Sequence, residues 1–183
     1  MSAILASGLD RAVLPAALLP IAKAHLRVDG TYDDAYITSA IARAISWFER
    51  VTNISVNPVT WTWTPAQGDF CNSLATVPVS PVQDDFTVAD GAAIDITADY
   101  QITTMSTHGI GLYALAGPFA AGMKVSLPSG YDDVAELDPG IVDAVLRYTA
   151  HLYENREILV AGTDAQTPGW MTDVISTYWY PRC

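Results

Sequence analysis

The stretch from Asp138 to Glu157, DPGIVDAVLRYTAHLYENRE, constrains the fold more than any other, because the signals of a capped and buried helix coincide there. Asp138 offers a carboxylate to the first free backbone amides, and Pro139 takes the first helical position, where its missing N–H costs nothing. Ile141, Val145, Tyr148 and Leu152 recur at spacings of three and four, and Val142, Leu146, Thr149 and Tyr153 widen the apolar stripe beyond one seam. Such a helix is held on more than one side. Asp143 and Arg147, four apart in the favoured order, belong to its solvated edge and add only ~0.2–0.5 kcal/mol. Burial of each large apolar side chain, at roughly 1.5–3 kcal/mol, decides.

The 183-residue chain is half apolar, enough for one domain with its own core. The first fourteen residues are small and apolar without clean periodicity and read as an arm or frayed start that a partner covers. From Pro15 to Leu26 a short helix is predicted on Leu18, Ile21, Ala22 and Leu26, with Pro20 forcing its regular part to begin there. After a turn at Gly30, Thr31 and Asp34 have the spacing of a capping box, and a helix follows to about Thr52. Its buried face is Ile37, Ile41, Ile45 and Phe48, with Ala40 and Ala44 permitting close approach of another helix. Asp33 and Asp34 suit its positive end, and Arg50 the other.

Beyond Asn53 the period changes from helical to alternating, up to roughly Ser129. Val59, Trp61 and Trp63 point one way and Thr60, Thr62 and Thr64 the other, the pattern of a half-buried strand. Further strands are predicted at residues 74–79, 86–88, 94–96, 100–104, 111–115 and 123–127, with Asp90-Gly91 as a hairpin turn. Prolines at 65, 78, 81 and 118 restrict several of these to edges or short lengths, so a small antiparallel sheet is expected between the helices. After a loop at 161–169 and a short segment from Trp170 to Ile175, the chain ends ISTYWYPRC. Trp170, Tyr178, Trp179 and Tyr180 stand outside any periodic segment, and exposed aromatics of this kind favour a partner. The expected fold class is α+β: a small helical bundle (about 15–53 and 138–157) with an inserted antiparallel β-sheet region (about 58–129) and an extended C-terminal tail or arm (170–183). All of it, 1–183, is taken as one domain.

Chemistry finds little support. A formal charge of −11 with only nine Lys and Arg argues against wrapping or reading DNA, since affinity for phosphate needs basic side chains. Apolar runs are too short and interrupted to span a bilayer, and the chain is expected to be soluble and not exported. His25, His108 and His151 are isolated, and Cys71 and Cys183 form no motif and are expected to stay reduced. Asp pairs at 33–34, 84–85 and 132–133 lack any cation-loop pattern and read as caps and turns. His108-Gly109-Ile110-Gly111 lacks the rest of a nucleotide fingerprint. No nucleophile stands with a base. Neither catalysis, a metal nor a cofactor is expected.

Three pieces of the chain together resemble a known family. AKAHLRVDGTYDDAYITSAIARAISWFERVTN, a strand-rich middle ending KVSLPSGY, and LDPGIVDAVLRYTAHLYENRE are similar to the head-to-tail connector (adaptor) proteins of long-tailed bacteriophages and of phage-derived gene transfer agents. HLRVD with DDAYI, and HLYENRE, are the distinctive parts, covering Ile21–Asn53 and Lys124–Glu157. The long middle and the TYWYPRC ending depart from the usual pattern.

The resemblance implies a structural virion protein at the capsid–tail junction, made in the bacterial host cytoplasm. It would assemble as a ring of twelve copies beneath the portal protein and meet a tail-completion or stopper protein. Genomic DNA would pass through its channel without specific binding. Under that reading Ile37, Ile41, Ala44, Tyr148 and Tyr153 are candidate subunit-interface residues, and Trp170, Tyr178, Trp179, Tyr180 and Arg182 candidate partner-binding residues. The competing reading is a monomeric binding module whose sheet, through Trp61 and Trp63, holds a peptide or ligand.

Overall fold

The computed structural model describes residues 3–8, 12–66, 69–71, 73–77, 79–104, 110–115, 119, 122–155 and 169–179. The chain forms two compact units. One is helical and gathers residues 11–52 and 131–179; the other is built of strands and gathers residues 1–10, 53–130 and 180–183.

The helical unit contains α1 (Val13–Leu26), α2 (Asp34–Thr52), α3 (Pro139–Glu154) and α4 (Gly169–Tyr178). α3 begins as its sequence demands, the Asp138 carboxylate accepting the Gly140 N–H at 2.7 Å with Pro139 in the first turn. Leu14 and Leu18 of α1, Ile37, Ile41, Ile45 and Phe48 of α2, and Ile141 and Val145 of α3 close the core, with Ala40, Ala44 and Ala144 buried between them. α2 packs on α1, α3 and α4. Its N-terminal turn meets the C-terminal turn of α3, where the Tyr36 hydroxyl donates to the Leu152 carbonyl at 3.0 Å and the Tyr153 hydroxyl to Asp33 Oδ2 at 2.6 Å.

Two expectations change here. α1 starts at Val13 and runs straight through Pro20 instead of beginning there. Pro20 and Ala16, whose carbonyl would have accepted the missing N–H, are both exposed, so water can replace the lost bond. At the start of α2, Thr31 contributes its carbonyl, accepting the Asp34 N–H at 3.3 Å, and the Asp34 carboxylate pairs with Lys23 at 2.6 Å.

The sheet unit holds two four-stranded antiparallel sheets where one was expected. Its strands are β1 (Ala3–Ser7), β2 (Val59–Thr64), β3 (Phe70–Cys71), β4 (Leu74–Thr76), β5 (Thr87–Ala89), β6 (Tyr100–Thr104), β7 (Ile110–Ala114) and β8 (Lys124–Ser129). They pair in the orders β1-β2-β8-β5 and β3-β4-β7-β6. Short strands in one flat sheet would leave an apolar face wet; two stacked sheets cover each other. Trp63, Val88, Val125 and Leu127 from the first and Ala75, Tyr100, Leu112 and Ala114 from the second share one buried cluster. Trp63 faces Val125, and Trp61 faces Leu127, so the predicted alternation along β2 holds.

The first residues are not simply an arm, since β1 pairs with β2 over its whole length, Ile4 opposite Trp63. Residues 94–96 form no strand: the Asp90 carboxylate accepts the N–H groups of Ala92 and Ile94, and one bridge, Ala89 to Asp95, follows before a 3-10 turn at Thr97–Asp99. The C-terminal segment expected as an arm is helical over Gly169–Tyr178.

Candidate functional site

Successive residues of a helix turn by about 100°, so Ser39, Arg43, Ser46 and Arg50, spaced four, three and four, share one outward stripe of α2. It lies away from the buried Ile37, Ile41 and Ala44 and borders a groove of about 430 Å³. The groove is closed by Trp47 of α2 and by Tyr148 and Leu152 of α3. Trp47 and Tyr148 lie almost parallel, 11° apart with centroids 4.5 Å apart, which makes a rigid apolar floor. The Arg43 guanidinium sits 5.7 Å from the centre of the Tyr36 ring, within reach of its π face. Among the described residues the two ion pairs are Lys23–Asp34 and Arg147–Asp143, the latter at 2.8 Å; neither Arg43 nor Arg50 has a carboxylate partner there.

The second constellation seats α4. Trp170 meets Trp47 edge-on with centroids 6.0 Å apart, Met171 is buried, and the Tyr178 ring packs edge-on against Phe48 at 5.6 Å. The Tyr178 hydroxyl donates to Asp138 Oδ1 at 2.9 Å, the same oxygen that caps α3. Burial foremost, then this hydrogen bond and the charges of Asp138, Tyr131 and Asp143 push the Tyr178 phenol up to about 12. Burial and Asp138 also raise Tyr131.

A phenol raised in the folded state favours folding while it stays protonated, and that contribution fades as pH climbs from about 10 toward 12. Alkaline titration followed by tyrosinate absorbance should therefore show Tyr178 ionising late, with the emission of Trp47 and Trp170 changing in the same window. Tyr178→Phe should remove that late step. A wild-type curve without it would mean that α4 is not seated on Asp138.

The structure separates the residues singled out from sequence. Ile37, Ile41 and Ala44 are 0 % exposed within their own unit, because α2 is covered by α1 and α3; they offer a neighbouring subunit no surface. Tyr148 and Tyr153 are half-buried. Trp170 and Tyr178 turn back onto α2 and α3, whereas Trp179 stays 56 % exposed. Tyr180 and Arg182 lie outside the described residues, as does His108. Trp63 is buried in the sheet unit's own core and unavailable to a ligand. Of the aspartate pairs, Asp133 accepts the Ala135 N–H as a cap, whereas Asp33 accepts the Tyr153 hydroxyl of α3 and Asp34 pairs with Lys23. Among the described residues no three His, Cys, Asp or Glu gather as a metal site would require, and no helix is long and apolar enough to cross a membrane. Sequence reasoning missed Arg43 and Arg50 as a pair, although their seven-residue spacing is visible in a chain with so few cations.

Comparison with known proteins now adds to the geometry. Residues 17–90 match the family model described as phage gp6-like head-tail connector protein, a span that contains the Ile21–Asn53 segment. Among solved structures the fold is similar to a chain from the neck of an empty gene transfer agent (GTA) particle computed with C6 symmetry. The TM-score is 0.71 at 20 % identity over 98 % of this chain and 97 % of that one. A chain from the virion of a native GTA particle matches with a TM-score of 0.68 and one from a native GTA neck computed with C12 symmetry with 0.63. Both are 20 % identical over 97 % of each chain. Among curated protein sequences none matches.

Proposed function

We infer, with the match of residues 17–90 to the gp6-like head-tail connector family as premise, that this chain is a structural connector of a phage or phage-like particle. The observation that carries the reading is the agreement of that match with a fold likeness to GTA neck chains extending over nearly the whole of both molecules. In this role the protein forms a ring, of twelve copies in the full assembly, beneath the portal at the capsid vertex, and meets a tail-completion protein on its other side. DNA passes through the ring. A surface dominated by carboxylates suits passage, because it gives phosphates nothing to hold and repels them over about 8 Å at physiological salt.

The C-terminal end is the segment assigned to the portal. Trp179, exposed beyond the last turn of α4, begins it. Removal of residues 175–183 takes away Tyr178 with the tail, so the seat of α4 loosens while the core of α1, α2 and α3 remains. Wild-type protein should co-sediment with its portal assembly and appear below it as a ring with cyclic symmetry in images of the complex, and the truncated protein should lose that affinity. Full portal binding by the truncated chain would remove the tail from the reading; no binding by the intact chain would remove the connector itself.

A further inference from the structure

We propose that the groove between Arg43 and Arg50 receives the Asp84–Asp85 turn of a second copy of this chain, and that this contact joins neighbouring subunits. The inference rests on the connector reading and deepens it by naming the surfaces that meet.

The argument begins with an imbalance. Acidic residues outnumber Lys and Arg by 20 to nine, so an exposed cation in this chain has carboxylates in excess. Lys23 and Arg147 have taken them, from Asp34 and Asp143. Arg43 and Arg50 have none among the described residues, although both are exposed on one stripe of α2. Seven residues apart, they stand about 10 Å apart along the axis, one toward each end of the groove. Ser46 keeps the stripe between them low, and the stacked Trp47 and Tyr148 give an apolar floor. Such a site suits a short acidic turn with an apolar base: two carboxylates for two guanidiniums, each able to accept paired N–H bonds, with contact against the rings beneath.

Among the described residues one turn has two adjacent carboxylates that are both uncommitted. Residues 53–130 contain six aspartates and a single lysine. Asp69, Asp90 and Asp95 spend their side chains locally, on the N–H groups of Ala66, of Ala92 and Ile94, and of Thr97. Asp84 and Asp85 are adjacent, exposed, and make no side-chain hydrogen bond or ion pair among the described residues. Their turn is held at its base, because Gln83 donates its backbone N–H to Pro128 at 2.9 Å and its amide to the Gly130 carbonyl at 3.3 Å, while Phe86 packs against the sheet unit's core. A turn fixed in this way loses little conformational freedom on docking.

Two different patches, one on each unit, make a heterologous contact. Repetition of such a contact builds a ring where its rotation closes and an open filament where it does not, whereas a patch that pairs with itself stops at a dimer. Charge supplies the specificity. Two subunits of charge −11 repel each other wherever like faces meet, so the face that brings cations to carboxylates selects the mating geometry.

The test uses the full-length protein and sedimentation velocity over a concentration series at low and at physiological salt. Arg43→Glu with Arg50→Glu should weaken self-association at least tenfold, Asp84→Lys with Asp85→Lys should do the same, and the four substitutions together should restore it. With Cys71 and Cys183 replaced by serine, Ser46→Cys together with Asp85→Cys should give a ladder of disulfide-linked oligomers extending past the dimer under mild oxidation. Unchanged association in the charge-reversed proteins overturns the proposal, and so does a wild-type chain that stays monomeric throughout with no ladder from the cysteine pair. Loss of duplex-DNA binding in Arg43→Glu/Arg50→Glu with self-association intact overturns it too, assigning the groove to phosphate. Portal binding read on the same variants keeps the two ideas apart: a groove variant that fails to self-associate as wild type does yet still binds portal leaves the connector reading standing.

Discussion

Alanine in place of Gly130 is expected to lower the stability of the sheet unit by at least ~3 kcal/mol, from strain and overpacking together. Gly130 closes β8 with φ at +93°, a region that residues with a Cβ enter only under strain. An added Cβ would lie 2.2 Å from the carbonyl oxygen of Asn57 and 2.9 Å from the nitrogen of Pro58. Those are backbone atoms beside β2, so no side chain can swing away. Relief requires β2 and β8 to part where Val59 pairs with Ser129, next to Trp61 and Trp63. Gly122→Ala is the control. Its φ is also positive, at +71°, but the nearest atom to its Cβ would be 3.6 Å away, so it should cost only roughly 1–2 kcal/mol. Chemical denaturation read through β-sheet circular dichroism would show the difference, and equal costs for the two substitutions would rule out the close approach at Asn57.

Phe48→Ala should cost ~3–5 kcal/mol and act on the helical unit. Phe48 is fully buried between Ile45 and Thr52 on the inner face of α2, and it is also the ring on which Tyr178 rests. Truncation leaves a cavity and removes an edge-on aromatic pair of ~0.5–1.5 kcal/mol, included in the total. α4 should lose its seat before α1, α2 and α3 separate. Hydrogen exchange would then show the amides of Gly169–Tyr178 losing protection first, with α3 retained. Tyr178→Phe, which keeps the ring and loses only an exposed hydrogen bond, should cost no more than about 1 kcal/mol. If Phe48→Ala left α4 as protected as in the wild type, the seat would be the Trp47–Trp170 contact instead.

These two experiments bear on function differently. Gly130 tests the frame that holds the base of the Asp84–Asp85 turn, since its carbonyl accepts the Gln83 amide. Phe48 tests whether the seat of Tyr178 holds α4 in place. On the proposed connector reading, the contact with the next subunit and the contact with a partner ring are both presented from fixed positions, because each interface gains affinity only from surfaces already in place.

Particular residues show what can be read from a sequence. The start of α3 is visible because Asp138, Pro139 and the apolar positions that follow act on neighbours within one turn. Val59–Thr64 is visible because Trp and Thr alternate. β1 is hidden: its outward residue, Leu5, is apolar and 70 % exposed, so alternation with Ile4 disappears. α4 was legible in principle, since Trp170, Met171, Val174, Ile175 and Tyr178 recur at helical spacing, but the cluster of aromatics at the end of the chain masks that period. The groove was not legible at all. Arg43 and Arg50 suit any solvated helix face, and neither has a carboxylate partner among the described residues, which depends on where the acids fold.

Capping, periodicity and composition, each acting over a few residues, sufficed to specify two amphipathic helices, a strand-rich middle and an acidic chain ill suited to gripping DNA. The partners of those surfaces were decided only by the tertiary structure. Ile37, Ile41 and Ala44 spend their faces on their own unit, Trp63 closes a core between two sheets, and Tyr178 returns to the cap of α3. An apolar stripe states that something will cover it, since leaving it wet costs free energy. Which surface does so depends on residues many tens of positions away, and no local pattern records that choice.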